Sequence, residues 1–384
     1  MIYIKVTEHL RIVKLKNLRV LPIILGNLYI WLTSIVWNNI QTKHKEKRKF
    51  IKTTVSVILP YYNAEQTIDK AIKSIAEQSY SNFECILIDN NSSDKSSIIA
   101  NEWVKKDSRF IVTSEKKQGV VFASNKGFEI AKGKYVARMD ADDVAYSARL
   151  QSQVSFLDSH SEYGAVAGLV KYIPHTEYTD GFKRYIKWSN SIINYEDIIN
   201  KQFVEMPLVN PTTMWCKDVA DKLGMYRDGN FPEDYEMWLR WLSRGIKIAK
   251  IPKMVLKWYD SDERLTRTNP IYSNESFFRI KTKYLSYWLK KNNPFHPNVV
   301  VWGASKNSRK RAKPLLDNGI EIAYYIDIKS RTNLDREVIH YKKIQSPNDL
   351  FILVYMKQED AREEIQSFLK SRGFIEGVNY LLVS

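Results

Sequence analysis

Between residues 54 and 143 the sequence repeats one pattern, in which a short run rich in β-branched residues is followed by a polar turn and a helical stretch. Buried strands are predicted by four of these runs, at 54–59, 83–88, 110–113 and 135–139. Helices are predicted between them: one from 68, one that follows the polar turn at 89–94 and runs to about 106, and one over 119–131. This alternation is typical of a parallel sheet covered by helices. We therefore expect an α/β fold with a Rossmann-like, mostly parallel sheet and helices on both faces.

Polar clusters stand where three of these predicted strands end, at residues 62–65, 89–94 and 140–143. The carboxyl ends of parallel strands meet at one edge of a sheet, and ligands bind in the crevice beyond that edge. The topology therefore predicts that the three clusters converge on one ligand site.

The last of these clusters contains three aspartates, Asp140, Asp142 and Asp143. Carboxylates held this close suit a hard divalent cation. Asp140 and Asp142 are two positions apart, so their side chains would point the same way on an extended segment. The alternative is a solvated acidic turn that caps a helix starting near Ser147. The position at the end of the fourth strand favours the metal site.

Three segments together carry a family resemblance: VSVILPYYNAEQTIDKAIKSIAEQS, FECILIDNNSSD and GKYVARMDADD. In this order and spacing they resemble the nucleotide-sugar-binding half of family 2 glycosyltransferases, which have the GT-A fold. The resemblance implies that the nucleotide lies along Pro60, Tyr62 and Glu65. It implies further that Asp89 lies near the base, Asp140 near the ribose, and Asp142 on the metal that holds the diphosphate, with Asp143 as a further metal candidate.

One residue departs from the family pattern. The second strand often ends in two consecutive aspartates, of which the second reads uracil, and Asn90 stands at that position here. An amide can still hydrogen-bond a base edge, but its donor and acceptor are placed differently. Asn90 is therefore a candidate nucleotide contact, and the identity of the base stays open.

A second carboxylate pair, Glu233 and Asp234, opens a predicted helix farther along the chain. Acidic residues stabilise the N-terminus of a helix, so a purely structural role is the alternative. The resemblance implies instead that Asp234 is the general base and that Glu233 orients it. Many relatives have a histidine where Asn210 stands, so we assign Asn210 no role in proton transfer.

The stretch 258–267 also fits a subgroup of the family, in which it forms a loop that closes over the sugar nucleotide. Arg264 and Arg267 on this stretch are candidates to pair with phosphate oxygens. The alternative is a surface loop of salt bridges.

The N-terminal segment 1–52 is strongly basic, with eleven Lys and Arg against two Glu in a chain of net charge +16. It contains an uncharged apolar run at 20–37 with basic residues on both sides, which favours a membrane anchor over nucleic-acid binding. The alternative is a helix that packs on the globular body. Only two cysteines, Cys85 and Cys216, occur, as expected in a reducing compartment. We expect a cytoplasmic protein, peripheral to or anchored at the inner face of a membrane.

The C-terminal part, 298–384, is predicted to be a smaller Rossmann-like unit, which would divide the chain into 1–52, 53–291 and 298–384. The nucleotide fingerprint needs glycines at 303, 305 and 308, and only Gly303 is present. Lys306 and Arg309 compensate only partly. A structural or partner-binding module is favoured over a working nucleotide site.

Taken together, the resemblance implies an inverting, metal-dependent transfer from a nucleotide-diphosphate sugar to a hydroxyl, with Mg or Mn as cofactor. The acceptor would be a glycan or a lipid-linked acceptor in the biosynthesis of a surface polysaccharide or lipopolysaccharide. Two alternatives stay open. A nucleotidyltransferase would need a glycine-rich basic loop after the first strand, and a non-catalytic scaffold would use the C-terminal unit for docking.

Overall fold

The computed structural model describes residues 2–6, 9–13, 55–175, 180–329, 331, 333–347 and 350–384. It forms two compact units, Met1–Thr53 and Thr54–Ser384. The described part of the first unit is an antiparallel hairpin of β1 (Ile2–Val6) and β2 (His9–Val13). The apolar run 20–37 lies outside the described residues. Within the described ranges, no helix is both long and apolar enough to cross a bilayer.

The second unit is built around an eight-stranded sheet. Its strands are β3 (Val55–Tyr61), β4 (Phe83–Asp89), β5 (Phe110–Ser114), β6 (Tyr135–Arg138), β7 (Val144–Ala145), β8 (Tyr163–Ile173), β9 (Met214–Cys216) and β10 (Lys247–Tyr259). Their order is β5-β4-β3-β6-β9-β8-β10-β7. The first four of these are parallel, whereas β9 runs antiparallel to both neighbours and β7 antiparallel to β10. The expected mostly parallel α/β sheet is confirmed.

Helices cover both faces of this sheet. The helices between 68 and 292 are α1 (Ile68–Ala76), α2 (Ser96–Lys106), α3 (Val120–Ile130), α4 (Arg149–Ser159), α5 (Asp180–Ser191), α6 (Tyr195–Lys201), α7 (Lys217–Leu223), α8 (Glu233–Ser243), α9 (Leu265–Thr268) and α10 (Asn274–Asn292). Alternate residues of β3 point to opposite faces: Val57 packs in one core cluster with Ile72 of α1, and Ile58 in the other with Ala123 of α3. Burial on both faces explains why β3 is almost wholly apolar.

A second, smaller sheet follows in the C-terminal region. Its elements are β11 (Asn298–Trp302), α11 (Lys306–Ala312), α12 (Pro314–Asp317), β12 (Glu321–Asp327), β13 (Val338–His340), β14 (Ile352–Val354), α13 (Glu359–Ser371) and β15 (Tyr380–Leu382). All its strands are parallel, in the order β13-β12-β11-β14-β15, which is the Rossmann arrangement of strands. Gly303 follows β11 with a φ of 120°, and a Cβ there would lie 2.8 Å from Ser308 Oγ.

The smaller sheet packs against α10. Leu285 and Leu289 of α10 are fully buried in one apolar cluster with Val301 of β11 and Trp238 of α8. Lys201 Nζ also lies 2.7 Å from Glu376 Oε1. The two sheets therefore share a core within one compact unit, and the proposed division of 53–384 into two domains stays a prediction.

Candidate active site

The three aspartates lie in the turn between β6 and β7. Carboxylate oxygens of Asp140, Asp142 and Asp143 all lie within 4.8 Å of one another. Asp143 is fully buried; its Oδ1 accepts a hydrogen bond from the Tyr259 N–H (3.0 Å), and its Oδ2 has no partner. Desolvation, with the neighbouring carboxylates, raises the pKa of Asp142 and of Asp143. An orphaned, buried oxygen within a set of hard oxygen donors fits a divalent cation.

Two arginines lie buried beneath these aspartates. Arg138 Nε donates to Asp140 Oδ1 (2.8 Å), and Arg138 Nη1 donates to Ser124 Oγ. Arg149 Nη2 donates to the Arg138 carbonyl (2.6 Å). Desolvation lowers the pKa of Arg149 to about 10. Our sequence analysis missed both, although a charged residue in the otherwise apolar strand β6 was a signal for Arg138.

The residues expected along the nucleotide lie at the carboxyl ends of β3 and β4. Pro60 pairs in register with Ile88, so that the loops after the two strands lie side by side. Tyr62 is 54% exposed. Glu65 Oε2 accepts from the Lys95 N–H (3.0 Å), which ties the first loop to the second.

Asp89 holds its own loop in place. Its Oδ1 accepts from the Ser92 N–H (3.0 Å), and its Oδ2 accepts from Ser97 Oγ (2.9 Å). Asp89 therefore lies beside the loop that carries Tyr62 and Glu65. This is the arrangement expected if these two polar clusters lie at one edge of the sheet.

Asn90 is buried and bonded to the loop that precedes α3. Its Nδ2 donates to the carbonyls of Glu115 and Lys117 (both 2.9 Å), and its Oδ1 accepts from the Gly119 N–H (2.7 Å). Both amide hydrogens are engaged by the backbone, so in this structure Asn90 holds the loop and has no free donor for a base.

The second carboxylate pair opens α8, as predicted. Glu233 is buried, and its Oε2 accepts from the Tyr272 hydroxyl (2.7 Å). Asp234 Oδ1 accepts from the Tyr235 N–H (2.6 Å). Desolvation, and next the charge of Glu233, raise the pKa of Asp234 to about 7. Tyr272 was missed, because nothing in the sequence links position 272 to position 233.

The three-aspartate cluster and the pair Glu233 and Asp234 interact electrostatically. Asp140 raises the pKa of Asp234 further, and the cation of Arg138 opposes that rise. The end of β6 and the start of α8, far apart in the sequence, therefore lie within electrostatic reach of each other.

The two arginines of the stretch 258–267 have different surroundings. Arg264 stacks over Trp258, with Cζ 3.9 Å from the ring centroid, and its Nη1 lies 4.0 Å from Asp142 Oδ2. Arg267 Nη2 instead lies 2.8 Å from Oδ2 of the buried Asp260. The structure brings Arg264 to the aspartates and holds Arg267 in a salt bridge.

Comparison with known proteins identifies the family. A model of the family "Glycosyl transferase family 2" matches residues 56–224. An uncharacterized glycosyltransferase of Haemophilus influenzae is 32% identical over 248 residues, which cover 62% of this chain and 75% of the relative. The chain belongs to glycosyltransferase family 2.

Two further similarities concern one characterised relative and one solved structure. The Escherichia coli UDP-Glc:alpha-D-GlcNAc-diphosphoundecaprenol beta-1,3-glucosyltransferase is 30% identical over 216 residues, covering 53% of this chain and 76% of that protein. Among solved structures, S. aureus TarS in complex with UDP-GlcNAc is 15% identical, with a TM-score of 0.47 over 70% of this chain and 82% of that one.

Proposed function

We propose that this enzyme transfers a sugar, with inversion, from a nucleotide-diphosphate sugar to a hydroxyl of a glycan or lipid-linked acceptor. The observation that carries the proposal is the three-aspartate cluster at the end of β6, with the buried and unpartnered Oδ2 of Asp143. This cluster suits the cation that holds a diphosphate, and Asp234, within its electrostatic reach, suits proton removal.

The donor would lie along the carboxyl ends of β3, β4 and β6. Pro60, Tyr62, Glu65 and Asp89 would line the nucleotide, and Asn90 would act by holding the neighbouring loop. Asp140 would reach both the ribose and the cation.

Asp142 and Asp143, with Asp140, would hold a divalent cation. When bound, Mg or Mn supplies positive charge that neutralises the leaving diphosphate. Arg264 lies next to Asp142 and would pair with a phosphate oxygen of the donor. Arg267 would instead stabilise the stretch 258–267 through its salt bridge with Asp260.

Asp234 would accept the proton of the acceptor hydroxyl. The hydroxyl oxygen forms a bond to the anomeric carbon while the bond from that carbon to the diphosphate oxygen breaks, and the electron pair leaves with the nucleoside diphosphate. A single displacement of this kind inverts the anomeric centre. Glu233, held by Tyr272, would orient the base.

The acceptor side is supported by the relatives. One of them acts on a diphosphoundecaprenol-linked sugar, as its name states. A lipid-linked acceptor fits the expected membrane contact of 1–52, and a role in surface polysaccharide biosynthesis follows. Sugar nucleotides are cytosolic, so the enzyme would work at the cytoplasmic face of a membrane.

The test measures release of nucleoside diphosphate from a panel of sugar nucleotides, with Mn and an acceptor extract. Asp234→Asn should keep donor binding but lower kcat by about 10²–10⁴-fold, because no base removes the proton. Asp142→Ala should lose donor binding in the presence of Mn, because the cation would lose a ligand.

Asp218→Asn, an exposed acid on α7, is the matched control and should behave as the wild type. Full activity of Asp234→Asn would remove Asp234 from its role. No release by the wild-type enzyme with any donor, with Asp142→Ala binding ligands normally, would favour the scaffold instead.

A further inference from the structure

The exposed side of α10 carries a row of three cations and one tyrosine, which we call the α10 stripe. Its members are Arg279, Lys283, Tyr287 and Lys290. All four residues are exposed, and their spacings of four, four and three residues place them on one face of the helix. The helical rise makes the stripe about 16 Å long. The face of α10 that carries Leu285 and Leu289 is buried instead.

The cations of the α10 stripe lack the acidic partners that exposed lysines have on other helices. On α1 Lys73 pairs with Glu77, and on α7 Lys222 pairs with Asp218, in each case one turn away. No acidic residue stands three or four positions from either lysine of the stripe. Neither lysine takes part in an ion pair between described residues. The arginine and the first lysine, one turn apart, instead repel each other, so a nearby anion would stabilise the stripe.

The tyrosine of the stripe is held at its base and open to solvent at its surface. The ring of Tyr287 contacts the ring of Tyr284 edge-on, with centroids 5.9 Å apart, and the Tyr284 hydroxyl donates to the buried Glu236 (2.6 Å). Tyr287 itself is 56% exposed. An amphipathic ring among lysines suits the head-group layer of a bilayer, where the ring reaches the apolar boundary and the lysines meet anionic phosphates.

The shape of the α10 stripe favours a bilayer over a nucleic acid. A single-stranded nucleic acid is usually bound in a basic groove where several aromatic side chains stack on its bases. The stripe is instead the convex face of one helix and carries one ring. A broad anionic surface can meet such a face without being enclosed by it.

The stripe begins beside the acceptor-side carboxylates. The Tyr272 hydroxyl, just before α10, donates to Glu233 Oε2 (2.7 Å). Arg279 Nη2 donates to the Asn230 carbonyl (2.7 Å), in the loop before α8. A surface that contacts the stripe would therefore lie close to the start of α8, where Glu233 and Asp234 stand.

We propose that the α10 stripe is a contact surface for an anionic lipid bilayer, separate from the segment 1–52. The lysines would bind anionic head groups, and Tyr287 would enter the boundary between head groups and acyl chains. The contact would bring the head group of a lipid-linked acceptor to the start of α8, and this consequence rests on the proposed function. The contact itself depends only on the charge and exposure of the stripe.

The experiment maps the reactivity of single lysines in the full chain. The protein is acetylated alone, with phosphatidylcholine vesicles, and with vesicles that also contain about 30% phosphatidylglycerol, and the acetylated positions are quantified by mass spectrometry. On the anionic vesicles, acetylation of Lys283 and Lys290 should slow severalfold, because head groups cover their amines. Lys73 and Lys222 are exposed but paired with acids, and their acetylation should not change.

A pair of double variants tests the charge itself. Lys283→Gln with Lys290→Gln should weaken partitioning onto the anionic vesicles by about tenfold or more, since each lysine at such a surface contributes about fivefold. The matched control, Lys73→Gln with Lys222→Gln, removes the same net charge elsewhere and should weaken partitioning much less. All four lysines are exposed, so both double variants should fold.

Three results would overturn the inference: unchanged acetylation of Lys283 and Lys290 on anionic vesicles, equal protection by neutral vesicles, or equal losses of partitioning in the two double variants. Protection by single-stranded RNA but not by vesicles would also overturn it and assign the stripe to nucleic acid. Failure of the wild type to release nucleoside diphosphate would refute the proposed function and leave the acetylation pattern standing.

Discussion

At the scale of single residues, the surroundings of Asp234 change its ionisation. Its pKa of about 7 lies well above that of an ordinary aspartate, because desolvation and Glu233 both oppose the charged form. In its proposed role as general base Asp234 must be ionised, so the active form is present above this pKa and lost below it. We expect kcat to rise with pH through about 7 and then to level off.

This expectation is checked by nucleoside diphosphate release between about pH 5.5 and 8.5 under saturating donor. Donor affinity, measured in the same range, should change much less. A kcat that stays constant down to about pH 5 would contradict the assignment, because an ordinary aspartate is still ionised there.

At the scale of elements, the loop before α3 depends on Asn90. Asn90→Ala removes the three hydrogen bonds by which a buried side chain holds backbone groups of Glu115, Lys117 and Gly119. We expect it to lower the free energy of unfolding by about 2–4 kcal/mol, measured in urea. Asn101→Ala, an exposed amide on α2, should change it by less than about 0.5 kcal/mol. Similar losses of unfolding free energy in the two variants would contradict the role of Asn90 in holding this loop.

Arg264 and Arg267, in the stretch before α10, have different partners. Arg264→Ala should weaken binding of the donor with Mn, because it removes a cation 4.0 Å from Asp142 Oδ2. Arg267→Ala should lower the free energy of unfolding by about 1–3 kcal/mol, because Asp260 stays buried without its cation. Thermal shift with and without donor separates the two effects. Equal losses of donor binding would show that both arginines contact it.

At the scale of the whole molecule, the two sheets share one core through α10. Leu285 is fully buried and lies in one cluster with Trp238 and Val301. Leu285→Ala should cost about 2–5 kcal/mol and lower the temperature of one common calorimetric transition. Two separate transitions, of which only one moves, would show that 298–384 unfolds by itself.

Much of this architecture was predictable from local patterns. The four strands from 54 to 139 and the helices between them follow from apolar periodicity, because burial of a strand or of one helix face is a local demand on the sequence. The strands β8, β9 and β10 were not predicted. The three-residue β9 pairs antiparallel between β6 and β8, an arrangement that only neighbouring strands impose.

The sequence by itself determined which residue types stand at the strand ends and at the start of α8, and these identified the family and the candidate carboxylates. Only the tertiary structure decided what surrounds them. Arg138 faces Asp140, Tyr272 holds Glu233, and Asn90 is bonded to a loop rather than left free. The physical reason is that a side chain's pKa and partners depend on distances and desolvation between distant segments, which periodicity in one segment does not encode.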